Sequence, residues 1–186
     1  MRRAKHSVAA KTGLAICGAV ALVALSPILA LADHIDNDSS VRDRDNNQQE
    51  VDKVELTAAG DLACNWGKAE LERSVVTTSW GSTDVHCYDD VVEATWIGRA
   101  QCTARTWTLH RCDQYKVTFN YYHFDENPDT NLEIGTWRTT GCHEFGHTSS
   151  LGHRAENNNN SCLQPVASEY RQTFDQHDLE SINSDI

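Results

Sequence analysis

The sequence predicts an α+β domain with a twisted, mostly antiparallel sheet, and three observations carry that expectation. A helix is marked by HEFGHTSSLGH at 143 to 153, short stretches that alternate in the strand manner recur at 84–88, 94–102 and 115–122, and an apolar stripe with helical spacing closes the chain. The elements follow in chain order.

Residues 1–32 read as a secretory signal. Arg2, Arg3, Lys5 and Lys11 precede an apolar run from Gly13 to Leu31, and Ala30-Leu31-Ala32 offers the small residues a signal peptidase reads. The run is nearly long enough to span a bilayer, so an uncleaved anchor is the alternative; Pro27 and the Ala-x-Ala site favour cleavage before Asp33. Removing 32 of the 186 residues leaves 154, enough for one domain with its own core. The loss of four basic residues takes the net charge from −11 to −15, which repels phosphate backbones and anionic lipid and excludes nucleic acid and a membrane surface as expected partners.

Residues 33–50, DHIDNDSSVRDRDNNQQE, are polar and read as a flexible acidic lead-in to a domain spanning 51–186. Lys68 to Val76 carries helix formers, whereas VVTTSW at 75 to 80 is β-branched and aromatic, so a short helix runs into a strand or loop there. DVHCY at 84 to 88 and ATWIGRAQC at 94 to 102 alternate as strands, and in YKVTFNYY at 115 to 122 Tyr115, Val117 and Phe119 share one face, with Lys116, Thr118 and Asn120 on the other. Asp125, Asn127, Asp129, Asn131 and Glu133 then alternate along one loop; they suit a calcium ion or a plain solvated turn, and calcium stays a possible second cofactor. The next helix is placed over Trp137 to Ser149, with Gly135-Thr136 and Thr139 or Thr140 as start signals, and Gly146 inside it implies a packing reason. AENNNNS at 155 to 161 is a surface loop, and Thr173 caps a last helix through Asp175 to Asn183.

Chemistry concentrates in the 143–153 stretch. His143 and His147 stand four apart, one helical turn, so both imidazoles face one metal ion. Glu144 stands beside the metal as a general base for water, and His153 completes the ligand set if the chain reverses near Gly152. Three nitrogens with one open position make a catalytic zinc site; a structural site would fill all four positions. His34, His86, His110, His123 and His177 are scattered and read as surface or hydrogen-bonded residues. No GxSxG, Walker or GxGxxG pattern occurs, which removes serine hydrolase and nucleotide chemistry from first rank.

HEFGHTSSLGH followed by SCLQP at 161 to 165 resembles the metzincin signature, HExxHxxGxxH with a Met-turn, and looks closest to the small secreted matrixin-like proteases. Two positions depart from it. Ser150 stands at the family's helix-ending glycine, so either Ser150 takes a positive φ or Gly152 makes the turn, and Leu163 replaces the Met-turn methionine with a residue of similar volume. The resemblance implies a sheet above a cleft, a zinc helix beneath it, and a small C-terminal part. It also implies an edge strand ahead of the helix that binds extended substrate; residues 115–122 are the candidate, against an ordinary internal strand.

Once Cys17 leaves with the signal, six cysteines remain, an even number that reads as three disulfides outside the cell. Cys142 with Cys162 would tie the zinc helix to the turn beneath the metal, Cys102 with Cys112 would close a short loop, and Cys64 would join Cys87. The competing role for Cys142 is a zinc ligand or inhibitory thiol, and HRC at 110 to 112 reads as half of a disulfide. Tyr170 lies off the family's offset for an oxyanion-binding tyrosine and reads as a packing residue.

The functional expectation is a secreted, monomeric zinc metalloendopeptidase acting on protein or peptide, with His143, His147 and His153 on the metal and Glu144 as base. The alternatives are a catalytically weak metal-binding or adhesion module on the same fold, and a zinc amidase acting on non-protein amides.

Overall fold

Alternation of buried and exposed side chains builds a five-stranded sheet. The computed structural model describes residues 43–108, 111–123, 128, 130–154 and 160–185. The segment read as a signal, most of the lead-in with His34, and the calcium-candidate positions Asp125, Asn127 and Asp129 lie outside the described residues. The strands are β1 (Gln48–Val54), β2 (Thr77–Trp80), β3 (Val85–Asp90), β4 (Gly98–Arg105) and β5 (Cys112–Asn120), and the helices α1 (Ala58–Leu71), α2 (Asn131–Thr148) and α3 (Gln176–Ser184).

The sheet order is β2-β1-β3-β5-β4, and only the β4–β5 pair is antiparallel. A mostly parallel sheet thus replaces the mostly antiparallel one expected. Parallel neighbours need a crossover: α1 lies between β1 and the strands on either side of it, and β4 lies between β3 and β5, while β4–β5 is the one neighbouring pair joined directly by a short loop. The expected candidate for the edge, residues 115–122, sits inside the sheet between β3 and β4. β4 is the edge on that side, and it borders α2.

The core lies between the sheet and the helices. Val51, Val85, Cys87, Tyr115, Val117 and Phe119 come from the sheet, Ala63 and Leu71 from α1, and Trp137 and Phe145 from α2. Where α1 crosses α2, a Cβ on Gly141 would overlap the Ala63 carbonyl, so the absence of a side chain lets the helices touch along their backbones. Asn120, on the face opposite Tyr115, Val117 and Phe119, is buried and ties the 92–96 loop to the sheet: its amide donates to the Val92 and Trp96 carbonyls, both at 3.0 Å.

Helix boundaries differ from expectation wherever a side chain found a better donor. α1 starts at Thr57, whose hydroxyl accepts from Gly60 N–H at 3.2 Å, and not at Lys68. α2 starts six residues before Trp137: Thr130 caps the Glu133 N–H at 3.2 Å and donates to the Glu133 carboxylate at 3.0 Å. The threonines expected to open this helix lie within it. Thr140 Oγ1 donates to the Thr136 carbonyl at 2.9 Å and Thr136 Oγ1 to the Leu132 carbonyl at 3.0 Å. α3 is capped by Asp175, paired with Asp178 in a capping box, and not by Thr173.

The lead-in is part of the fold from Arg44 onward, which corrects the expectation that 33–50 is wholly flexible. Arg44 is 3% exposed; it donates to the carbonyls of Ile182 and Asp185 at 2.8 and 2.9 Å, and to that of Ser149 at 3.4 Å. The disulfides are Cys64–Cys87, Cys102–Cys112 and Cys142–Cys162, the expected pairing, and they leave no described cysteine free to bind metal. No helix among the described residues is long and apolar enough to cross a membrane.

Candidate metal centre

α2 carries two of the three histidines, and its C-terminus delivers the third. Ser149 ends the helix, and Ser150 turns the chain with φ at 72°, the left-handed conformation that no glycine in the described chain adopts. The Leu151 N–H closes the turn onto the Gly146 carbonyl at 3.1 Å. Of the two alternatives for the reversal, Ser150 therefore makes it. Leu163, 1% exposed, packs under the helix where a Cβ on Gly146 would overlap it; that is the packing reason for the glycine.

The histidine rings converge. Centroid separations are 4.6 Å for His143–His147, 5.0 Å for His143–His153 and 4.9 Å for His147–His153, and one nitrogen from each lies within 4.8 Å of the others. His143 Nδ1 meets the Cys162 carbonyl at 2.9 Å, and His147 Nδ1 meets the Leu151 carbonyl at 2.7 Å. A carbonyl only accepts, so each Nδ1 carries a proton. Burial, with His147 as second cause, holds His143 well below the usual imidazole range and keeps it neutral. His143 and His153 bring their Nε2 atoms to 3.1 Å.

Glu144 is 4% exposed and reaches the same cleft. Burial pushes its carboxyl up to about 8, against the Ala100 N–H and the Arg99 charge, which favour the ionised form. The cleft, about 630 Å³, is lined by Ile97, Gly98 and Ala100 on one side and Pro165, Val166 and Ala167 on the other, with the histidines and Glu144 at its base. Thr139 holds the second wall by donating to the Ser168 carbonyl at 2.5 Å.

A second group, Asp175, His177 and Asp178, also lies within 4.8 Å. The Arg154 guanidinium already supplies its positive charge, donating to Asp178 Oδ1 at 3.0 Å and His177 Nδ1 at 2.6 Å. His86 lies on β3, 3.7 Å from Asp52, and neither it nor His177 joins the triad. His110 lies outside the described residues. Tyr170, expected to pack, is 85% exposed. Asn131 and Glu133 of the calcium-candidate loop begin α2 instead.

The structure thus brings together all four residues singled out in the motif. Sequence reasoning missed the carbonyls of Cys162 and Leu151, the Ala100 N–H and the Arg154–Asp178 pair. A backbone group carries no residue-type signal, and no local pattern joins residues 24 positions apart. A scan of protein-family models and a search of curated proteins each gave no match to the chain.

Proposed function

We propose that the chain is a zinc-dependent endopeptidase that works outside the cell on extended polypeptide. The observation that supports it best is one cleft that holds three convergent imidazoles beside a buried carboxylate, with an edge strand as its rim. Tetrahedral zinc binds imidazole at about 2.0–2.1 Å, which puts two such nitrogens about 3.3 Å apart; the 3.1 Å between the His143 and His153 Nε2 atoms fits. An all-nitrogen donor set suits zinc and not calcium, which takes oxygen.

When bound, zinc would supply Lewis acidity, lowering the pKa of water and polarising the substrate carbonyl. The protein does the rest. Glu144 takes the proton of the attacking water and returns it to the leaving amine, and a cation held by the adjacent histidines favours the ionised carboxylate that accepts it. β4 offers its outer edge as a template on which an extended chain adds as a strand, with the scissile bond near Gly98 to Ala100. The apolar wall at Pro165 and Val166 receives a side chain next to that bond. Three disulfides suit an oxidising compartment.

The test is hydrolysis of an unfolded protein by purified residues 33–186, with and without a chelator. Glu144→Ala should hold one zinc yet lose about 10²–10⁴-fold in rate. Equal inertness of wild type and Glu144→Ala, both with zinc bound, would leave a metal-binding module and end the peptidase proposal.

A further inference from the structure

The third histidine poses a positioning problem. His143 and His147 ride on α2, but His153 lies beyond the reversal at Ser150, where no helix holds it. A loop-borne ligand needs support to stay within about 0.5 Å of its productive position.

That support begins one residue later. The Arg154 N–H donates to the Leu163 carbonyl at 2.9 Å, and its guanidinium reaches Asp178 Oδ1 at 3.0 Å, His177 Nδ1 at 2.6 Å and Asp175 Oδ1 at 3.7 Å. The Asp178 side chain is 1% exposed. Its other oxygen accepts from the Asp175 N–H at 2.9 Å, and the Ser161 hydroxyl donates to the same carboxylate. Ser161 precedes Cys162, whose carbonyl fixes the His143 tautomer. One buried carboxylate on α3 therefore gathers the segment bearing His153 and the segment orienting His143.

We propose that Arg154 and Asp178 are positioning residues for the metal centre, with α3 serving as the anchor that holds His153 at ligating distance. The proposal rests on the three histidines binding metal, and on nothing about hydrolysis. It also gives a role to Asp175, His177 and Asp178: the group holds a guanidinium, not a second ion.

The experiment uses the full chain and reads zinc affinity by competition with a chromophoric chelator, at a temperature where circular dichroism shows each zinc-free variant folded. Arg154→Met and Asp178→Asn should bind zinc about 10–100-fold more weakly than wild type. Arg154→Lys, which keeps a cation for Asp178, should recover at least half of that loss on a logarithmic scale. In a His153→Ala background Arg154→Met should weaken zinc less than twofold, because the ligand through which it acts is gone. Undiminished affinity in a folded Arg154→Met variant, or a loss of full size in the His153→Ala background, overturns the tether; the second result would mean only a loosened fold. If Arg154→Met does not fold, Asp178→Asn decides: undiminished zinc affinity in that folded variant overturns the tether. Wild type that binds no zinc overturns the metal centre and the tether together, whereas wild type that binds zinc but cleaves nothing ends only the peptidase proposal.

Discussion

At the scale of single residues, the site depends on groups that have no freedom. His143 and His147 each meet a carbonyl that can only accept, so each Nδ1 carries a proton, and burial keeps His143 neutral with its Nε2 lone pair free to face the cleft. Glu144 is the opposite case, a carboxyl held neutral by burial in the metal-free protein. Its folded-state pKa lies above its unfolded value, so its contribution to stability is complete below the unfolded pKa, near 4.5, and is lost as pH rises through about 8. Zinc-free wild type should therefore lose stability relative to zinc-free Glu144→Gln between those limits and match it at lower pH; parallel melting curves across pH would sink the idea. Gly146→Ala should cost about 1–3 kcal/mol in chemical denaturation despite alanine's better helix propensity, because its Cβ would overlap Leu163. Ser150 offers a contrast. Glycine there relieves the strain at φ 72° and loses the 3.3 Å bond that the Ser150 hydroxyl accepts from the Arg44 N–H, so the net change should stay within about 1 kcal/mol. Valine should cost clearly more, since a branched Cβ resists that conformation.

At the scale of elements, α2 and the 161–165 turn act as one unit. The Cys142–Cys162 disulfide joins them at the residue before His143 and at the residue whose carbonyl orients it. Replacing both cysteines by serine should weaken zinc by about 10–100-fold while a chelator-treated protein keeps its helical circular dichroism; unchanged affinity would show that Leu163 packing alone holds the turn. Much of this unit was legible. The i, i+4 histidines, the third histidine and the even cysteine count follow from spacing and residue type, whereas the Cys142–Cys162 pairing and the turn at Ser150 were suggested by the resemblance. The true start of α2 was also written in the chain, as Thr130 with Glu133, but threonines at 136, 139 and 140 imitate start signals. Only burial of their hydroxyls against backbone carbonyls shows them to be interior. The strand at 115–122 was a candidate edge by resemblance alone, and its internal alternative holds; alternation describes a buried face and carries no signal for which strands pair on either side.

At the scale of the whole molecule, the chain is closed by Arg44. Its guanidinium joins the lead-in to the carbonyl at the end of α2 and to those at the end of α3, so the N-terminal and C-terminal segments secure the same helix terminus. Arg44→Ala should destabilise by at least about 2 kcal/mol, because those carbonyls would stay buried without a donor. A chain starting at Gln48 should melt as low as Arg44→Ala or lower. The sequence by itself determined the residue types of the candidate site, the helical spacing of His143 and His147 and the carboxylate beside them, because each of these is a matter of residue identity at short separation. Only the tertiary structure decided that the sheet is mostly parallel, that β4 and not β5 forms the edge, that Arg44 reaches the end of α2 and that Arg154 pairs with Asp178. Those depend on which distant segments share a buried space, and a polar side chain drawn into that space looks the same in the sequence as one left in water.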